Sequence, residues 1–305
     1  MNFIGSRDMT LLQTLFSRDR IIQVSDRRLT LNGQFFDDEY TKLVCWNQTF
    51  SAGFTGIARI DRRLRKSTSE WIAEVLCDYP LFEPGVEALR QEAENRVRKL
   101  SWNDKRLAIV VAGFDFRQVP LVAEIANFNT ATNVTVDANS FGLRYAHVPP
   151  RRITGTHAVG ARLGDLEHRL LTRYVPRVLR TDRNNGHNRA IKLLVENQRR
   201  VHRNTALVGA DAQAVTIPSS QMGNRIVMSN LDGTDIPAHS SSFGYFDQHG
   251  FQFKQLGPLM AHGGTVIDQV TGTADEDNPN NQVMSIRFVK VPPSQTRPQR
   301  RRTAR

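Results

Sequence analysis

Thr10-Leu11-Leu12-Gln13-Thr14-Leu15-Phe16-Ser17-Arg18-Asp19-Arg20-Ile21-Ile22-Gln23-Val24-Ser25-Asp26-Arg27-Arg28 is two apolar runs either side of a short polar break, and its reading decides the fold. Short apolar runs bounded by turn-forming residues are strands, so residues 10–16 and 20–25 are expected to pair about Ser17-Arg18-Asp19. Runs at 41–47 and 49–54 are two more strands, with Asn32-Gly33 as a turn before them. The beginning of the chain is therefore all β.

Past this point the period changes. Ser67, with Glu70 three residues on, is a capping box opening an amphipathic helix that carries Trp71, Ile72, Val75, Leu76 and Tyr79 on one face. A second helix starts near Pro84, places Val86, Leu89, Ala93, Val97 and Leu100 at helical spacing, and stops before Trp102-Asn103-Asp104. Strands are expected at 107–113 and 121–126, joined by a turn at 115–118, then at 141–148 and 153–158. Another helical pair follows, first with Leu163, Leu166, Leu170, Leu171 and Tyr174, then, past Asn184-Asn185-Gly186, with Ala190, Ile191, Leu194, Val195 and Val201. Residues 212–217 form a closing strand. The order predicts an α+β fold of two stacked sheets with helices outside each, an αββα sandwich, because every amphipathic stripe must be buried on a sheet face.

The 305 residues divide accordingly. Residues 10–217 form the main domain, 218–295 a β-rich extension with apolar pieces at 225–228, 250–253, 265–270 and 283–291, and 296–305 a disordered basic tail. Residues 1–9 read as a propeptide or a misassigned start. The net charge is +11, to which Arg297, Arg300, Arg301, Arg302 and Arg305 of the tail contribute five. Clustered cations invite a nucleic-acid partner, yet no zinc-finger, RNA-binding or helix-turn-helix signature accompanies them. No apolar run is long enough for a bilayer, no secretory leader is recognisable, and Cys45 and Cys77 fall in core segments, so a cytoplasmic protein without membrane or disulfide is expected.

Thr10, Asp26 and Lys42 stand sixteen residues apart, twice over, and Ala52-Gly53-Phe54-Thr55-Gly56 follows. With Arg28 two residues beyond Asp26, this pattern resembles proteasome β subunits and the bacterial ring peptidase, members of the N-terminal nucleophile (Ntn) hydrolases. The resemblance implies the αββα fold, a threonine nucleophile at Thr10 once the preceding residues are removed, Asp26 and Lys42 as its partners, and Arg28 as an auxiliary. Either Gly53 or Gly56 would supply an oxyanion-binding amide, with Gly56 favoured. The chemistry suits those residue types: a free α-amine can take the threonine proton, an ammonium favours the alkoxide, and a carboxylate holds the ammonium.

The family's later auxiliaries are a serine before a glycine in a mid-chain strand, then an aspartate and a serine near the last helix end. Thr156, in Thr154-Gly155-Thr156-His157, and Asn204 are the matching residues here, and an asparagine cannot carry the aspartate's charge. The resemblance further implies a peptide or other amide substrate, no cofactor, a homo-oligomeric ring and an ATPase partner. The rival reading is a catalytically degenerate scaffold whose basic tail binds nucleic acid or an acidic partner.

Other groups point to less. His157, His168, His187 and His202 lack metal-ligand spacing, so no metal is expected. Asp275-Glu276-Asp277-Asn278 lacks the alternation of a calcium loop, and Gly263-Gly264 opens no phosphate cradle.

Overall fold

The computed structural model describes residues 10–31, 34–46, 49–61, 66–79, 81–135, 137–182 and 185–219, followed by backbone alone for six strands between 225 and 290. Residues 1–9, Asn32-Gly33, Gly263-Gly264, Asp275-Glu276-Asp277-Asn278 and the tail at 296–305 lie outside the described residues. The fold is mixed α and β, and its strand pairs are mostly antiparallel.

The opening quoted above forms β1 (Leu11–Ser17) and β2 (Arg20–Asp26), an antiparallel pair with Leu12 opposite Ser25. A small hairpin follows, β3 (Leu29–Leu31) with β4 (Gln34–Asp37), then β5 (Leu43–Trp46) and β6 (Phe50–Gly56). Helix α1 (Thr68–Leu76) begins at the expected capping box: Ser67 Oγ accepts the Glu70 N–H at 3.1 Å while Glu70 Oε2 accepts the Ser67 N–H at 2.9 Å. Helix α2 (Phe82–Val97), β7 (Leu107–Phe114), β8 (Pro120–Ala126), β9 (Gly142–Ala146) and β10 (Thr154–Gly160) come next. Then α3 (Asp165–Arg169) runs through a π-helical turn (Leu170–Tyr174) into α4 (Val175–Thr181), and α5 (Gly186–Asn204) leads to β11 (Ala212–Pro218).

One sheet contains β10, β1, β2 and β11 in that order, and the other contains β5, β6, β7, β8 and β9. Period-two alternation sorts their side chains. Leu12, Phe16, Ile21, Val159, Val215 and Ile217 of the first sheet pack against Leu43, Cys45, Val110, Ala112 and Val122 of the second. On the second sheet's other face, Val44, Phe54, Ile109, Val111 and Ala123 meet Trp71, Ile72, Leu76, Val86 and Leu89 of α1 and α2. Leu15, Ile22, Val24 and Ala214 of the first sheet meet Leu171, Val175, Ile191, Leu194 and Val195 of the other helices. Helix α5 is also tied down by polar groups: Gln13 Nε2 donates to Leu194 O at 2.9 Å, and Asn197 Nδ2 donates to Gln13 Oε1 at 2.7 Å.

The later strands differ from a separate appendage. β12 (Arg225–Asn230) and β13 (Ser240–Phe246) continue the first sheet, with β13 antiparallel to β11. β14 (Gln252–Phe253), β15 (Leu259–His262), β16 (Thr265–Ala274) and β17 (Gln282–Lys290) continue the second, with β15 parallel to β5. Apolar runs marked β12, β14, β16 and β17 beforehand. β13 was not marked, for its three serines precede a short aromatic stretch, Phe243-Gly244-Tyr245-Phe246, and its place is set by pairing with the free edge of β11.

Candidate active site

Two returns of the chain explain the spacing. β1 runs away from Thr10 and β2 runs back, so Asp26 arrives beside Leu11, whose N–H donates to Asp26 Oδ1 at 3.0 Å. The β3–β4 hairpin goes out and returns again, with the Tyr40 N–H donating to Arg27 O at 3.2 Å, and delivers Lys42 beside Arg28. Each return consumes sixteen positions, and three distant side chains converge.

Lys42 Nζ lies 2.8 Å from Thr10 Oγ1 and 3.1 Å from Asp26 Oδ2, and it also donates to Arg28 O. An ammonium donates and does not accept, and these three oxygens are acceptors. Asp26 is fully buried and surrounded by donors: besides Leu11 and Lys42, its Oδ2 accepts the Arg28 N–H at 3.1 Å and the Gly209 N–H at 3.0 Å. Burial pushes its carboxyl up from the ordinary value, opposed by the Lys42 charge and by the amides of Gly209 and Leu11. All its close partners offer protons, so the ionised form satisfies the surroundings best.

Arg28 extends this network outward. Its guanidinium grips Asp38 through two 2.7 Å bonds, donates to Ala206 O at 2.8 Å and lies over the Phe35 ring at 5.4 Å. Thus Arg28 touches the site through its backbone, while its side chain ties the β3–β4 hairpin to the loop after α5.

A small pocket opens beside Thr10, walled by Arg28, Leu29, Thr30, Lys42, Phe54, Gly56 and Ala58. The two candidate glycines separate here. Gly53 lies in the interior, where a Cβ would stand 2.8 Å from methyls of Leu12 and Leu43, so its role is close packing between the sheets. Gly56 lines the pocket, has φ +99°, and would place a Cβ 2.0 Å from Arg106 O. It stands opposite Leu107, whose N–H and C=O are both taken by Asn127, so Gly56 and Leu107 exchange no main-chain bond. The Gly56 N–H consequently points away from β7, on the side where β5 has yet to begin.

Thr156 does not reach Thr10. It pairs with Leu15, five residues down β1, and stands on the helix-covered face with Ala158, whereas Leu12 and Val159 face the other sheet. The stretch that meets the candidate nucleophile is the end of β10 and the residue after it, Val159-Gly160-Ala161: the Ala161 N–H donates to Thr10 O at 2.8 Å, and Gly160, with φ +95°, would put a Cβ 1.7 Å from the same oxygen. A valine therefore precedes the glycine at this point. Gly155, used for the sequence match, instead makes room for the Phe16 ring.

Asn204 is also displaced from the site. It ends α5 on the exposed surface, and the contact with Asp26 comes from Gly209, five residues later. The amides of Leu11 and Gly209 and the approach of Gly160 were missed from the sequence, since main-chain donors leave no residue-type signature. A second glycine closing β10 was the one available signal.

No model of a known protein family matches this chain, and no curated protein matches it. Among the described residues, no helix is long and apolar enough to cross a membrane, and no group of three or more His, Cys, Asp and Glu side chains could hold a metal ion.

Proposed function

We propose that this chain is a threonine-type Ntn hydrolase of the proteasome β-subunit and ring-peptidase kind, built on a four-layer αββα sandwich and cleaving peptide or other amide bonds through Thr10. The observation that carries this reading is the Lys42 ammonium standing between the Thr10 hydroxyl and the Asp26 carboxylate. As an ammonium beside the Asp26 carboxylate, Lys42 has no lone pair with which to take a proton. It lowers the cost of forming the alkoxide, and Asp26 positions it.

The base must then be another group. Removal of residues 1–9 would free the α-amine of Thr10, which ordinarily titrates near about pH 7.7–8.0 and can take the hydroxyl proton. Oγ1 then bonds to the substrate carbonyl carbon, and the oxyanion is met by the Gly56 N–H. The C–N bond breaks as the α-ammonium returns its proton to the departing amine, leaving an ester on Thr10. Water, deprotonated by the same amine, hydrolyses that ester and restores the hydroxyl. A cytoplasmic ring of identical subunits fed by an ATPase completes the reading, on the resemblance alone.

The degenerate scaffold is the second reading. Val159 before Gly160, and the distance of Thr156 and Asn204 from Thr10, favour it, because the family's auxiliary hydroxyl and carboxylate then have no equivalent among the residues matched.

Intact-mass measurement separates the two. A mature species beginning at Thr10 that gains one adduct from a threonine-directed electrophile, with no adduct in Thr10→Ala, is the expected result. A chain that retains residues 1–9 and stays unlabelled would leave the scaffold as the better account.

A further inference from the structure

The outer face of the α3–α4 segment has no place in the chemistry above. Arg169, Arg173, Arg177 and Arg180 are spaced by four, four and three residues, which puts them on one helix face, and all four are exposed. Leu171 and Val175 hold the opposite face against the sheet. The Arg169 Nε donates to a backbone carbonyl, that of Asp165, and among the described residues none of the four guanidiniums pairs with a carboxylate. The contrast with α2 is sharp, for there Arg90 binds Glu87 and Glu94, and Arg96 lies near Glu92.

Four like charges one turn apart repel one another and weaken the helix that carries them. Tyr174, half exposed, flanks the stripe between Arg173 and Arg177, and the π-helical turn lies under it. Cations at a spacing of about 6 Å along a helix of about 1.5 Å rise per residue suit a chain of phosphates, and an exposed aromatic ring among them suits an unstacked base. A second copy of this chain is disfavoured on this face, because a two-fold contact would set arginine against arginine. Of the acids of α2, Glu87, Glu92 and Glu94 already lie beside its own arginines.

We propose that the Arg169–Arg173–Arg177–Arg180 face docks a single nucleic-acid strand, with the guanidiniums on phosphates and the Tyr174 ring stacked on a base. The site is separate from Thr10, so the proposal stands or falls independently of the hydrolase reading. It also differs from docking by the arginines at 297–305.

The test is fluorescence polarisation of a fluorescein-labelled oligothymidylate titrated with the full chain at salt concentrations from about 50 to 200 mM. Arg173→Gln/Arg177→Gln/Arg180→Gln, its folding checked by circular dichroism, should weaken binding at least ~10-fold and lower the slope of log Kd against log salt by about 2, at roughly 0.7 per phosphate contact. Replacing the same three by lysine should keep most of that slope. Tyr174→Ala should weaken binding roughly tenfold with the slope unchanged. Three results would overturn the proposal: unchanged binding in the glutamine variant, loss of binding only when the five tail arginines are replaced, or equal affinity for polyglutamate or for phosphatidylserine vesicles.

Discussion

Two acid–base pairs join one sheet to the other, and they are built to different ends. Asp26 of β2 meets Lys42, with side chains 0% and 3% exposed, whereas Glu124 of β8 meets His157 of β10 at 3.0 Å, with side chains 8% and 21% exposed. The first carboxylate collects main-chain N–H groups from three separate segments. The second is held by side chains, His157 and Thr130, with Arg144 opposite it in the sheet. Their titrations move in opposite directions. Burial dominates at Asp26 and raises it; at Glu124 burial also raises, but the close approach of the His157 ring, the Thr130 hydrogen bond and the Arg144 charge outweigh it, so Glu124 lies below its ordinary value. A buried ion held by fixed backbone is committed to one geometry, while one held by side chains nearer solvent can adjust.

The largest effect is expected from breaking the first pair. Lys42→Ala leaves the Asp26 carboxylate buried without its counter-charge, and such a deletion costs about 3–5 kcal/mol. Urea unfolding should show the lowered midpoint, and electrophile labelling of Thr10 should vanish in the same variant. A midpoint matching the parent protein would mean that Asp26 is neutral in the fold.

Gly160→Ala comes next. Its Cβ would collide with the Thr10 carbonyl and its φ is positive, so a loss of about 1–3 kcal/mol is expected, with Thr10 moved off Lys42. Gly142→Ala is the control, since a Cβ there meets nothing closer than 3.7 Å. Equal behaviour of the two variants would remove the close approach of β10 from the account of the site.

Glu124→Gln sharpens the comparison with the smallest effect, about 1–2 kcal/mol. A carboxylate whose folded pKa is lowered stabilises the fold fully above its unfolded value and loses that contribution as the pH falls through the folded one. The parent should therefore gain on this variant as pH rises through the range below about 4.5, with a flat difference above it. Asp26, raised, has the opposite sign: its own contribution declines as pH climbs from the ordinary carboxylate value to the folded one. Denaturant midpoints of the parent, Glu124→Gln and Asp26→Asn across acidic pH would reveal opposed slopes, and parallel slopes would show that the two sites share one environment.

Much of this was legible in the residues themselves. The apolar runs gave β1, β2 and β5 to β8 within a residue or two, and the Ser67–Glu70 box marked the start of α1, because strand alternation and helix caps are local chemistry. The double spacing of sixteen brought Thr10, Asp26 and Lys42 onto one list, since two hairpin returns are also local. Thr156 went astray for a physical reason: a shift in strand position changes which face a side chain occupies, and nothing local records the pairing of β10 with β1.

By itself the sequence determined which segments alternate, which helices have a buried stripe, and that three particular side chains could be carried to one end of a pair of hairpins. Only the tertiary structure decided that Gly56 rather than Gly53 borders the pocket, that Gly160 and Gly209 close around Thr10 and Asp26, and that the last strands widen both sheets. These are matters of register and of main-chain amides, identical in every residue, whose direction is set by strands and loops far away along the chain.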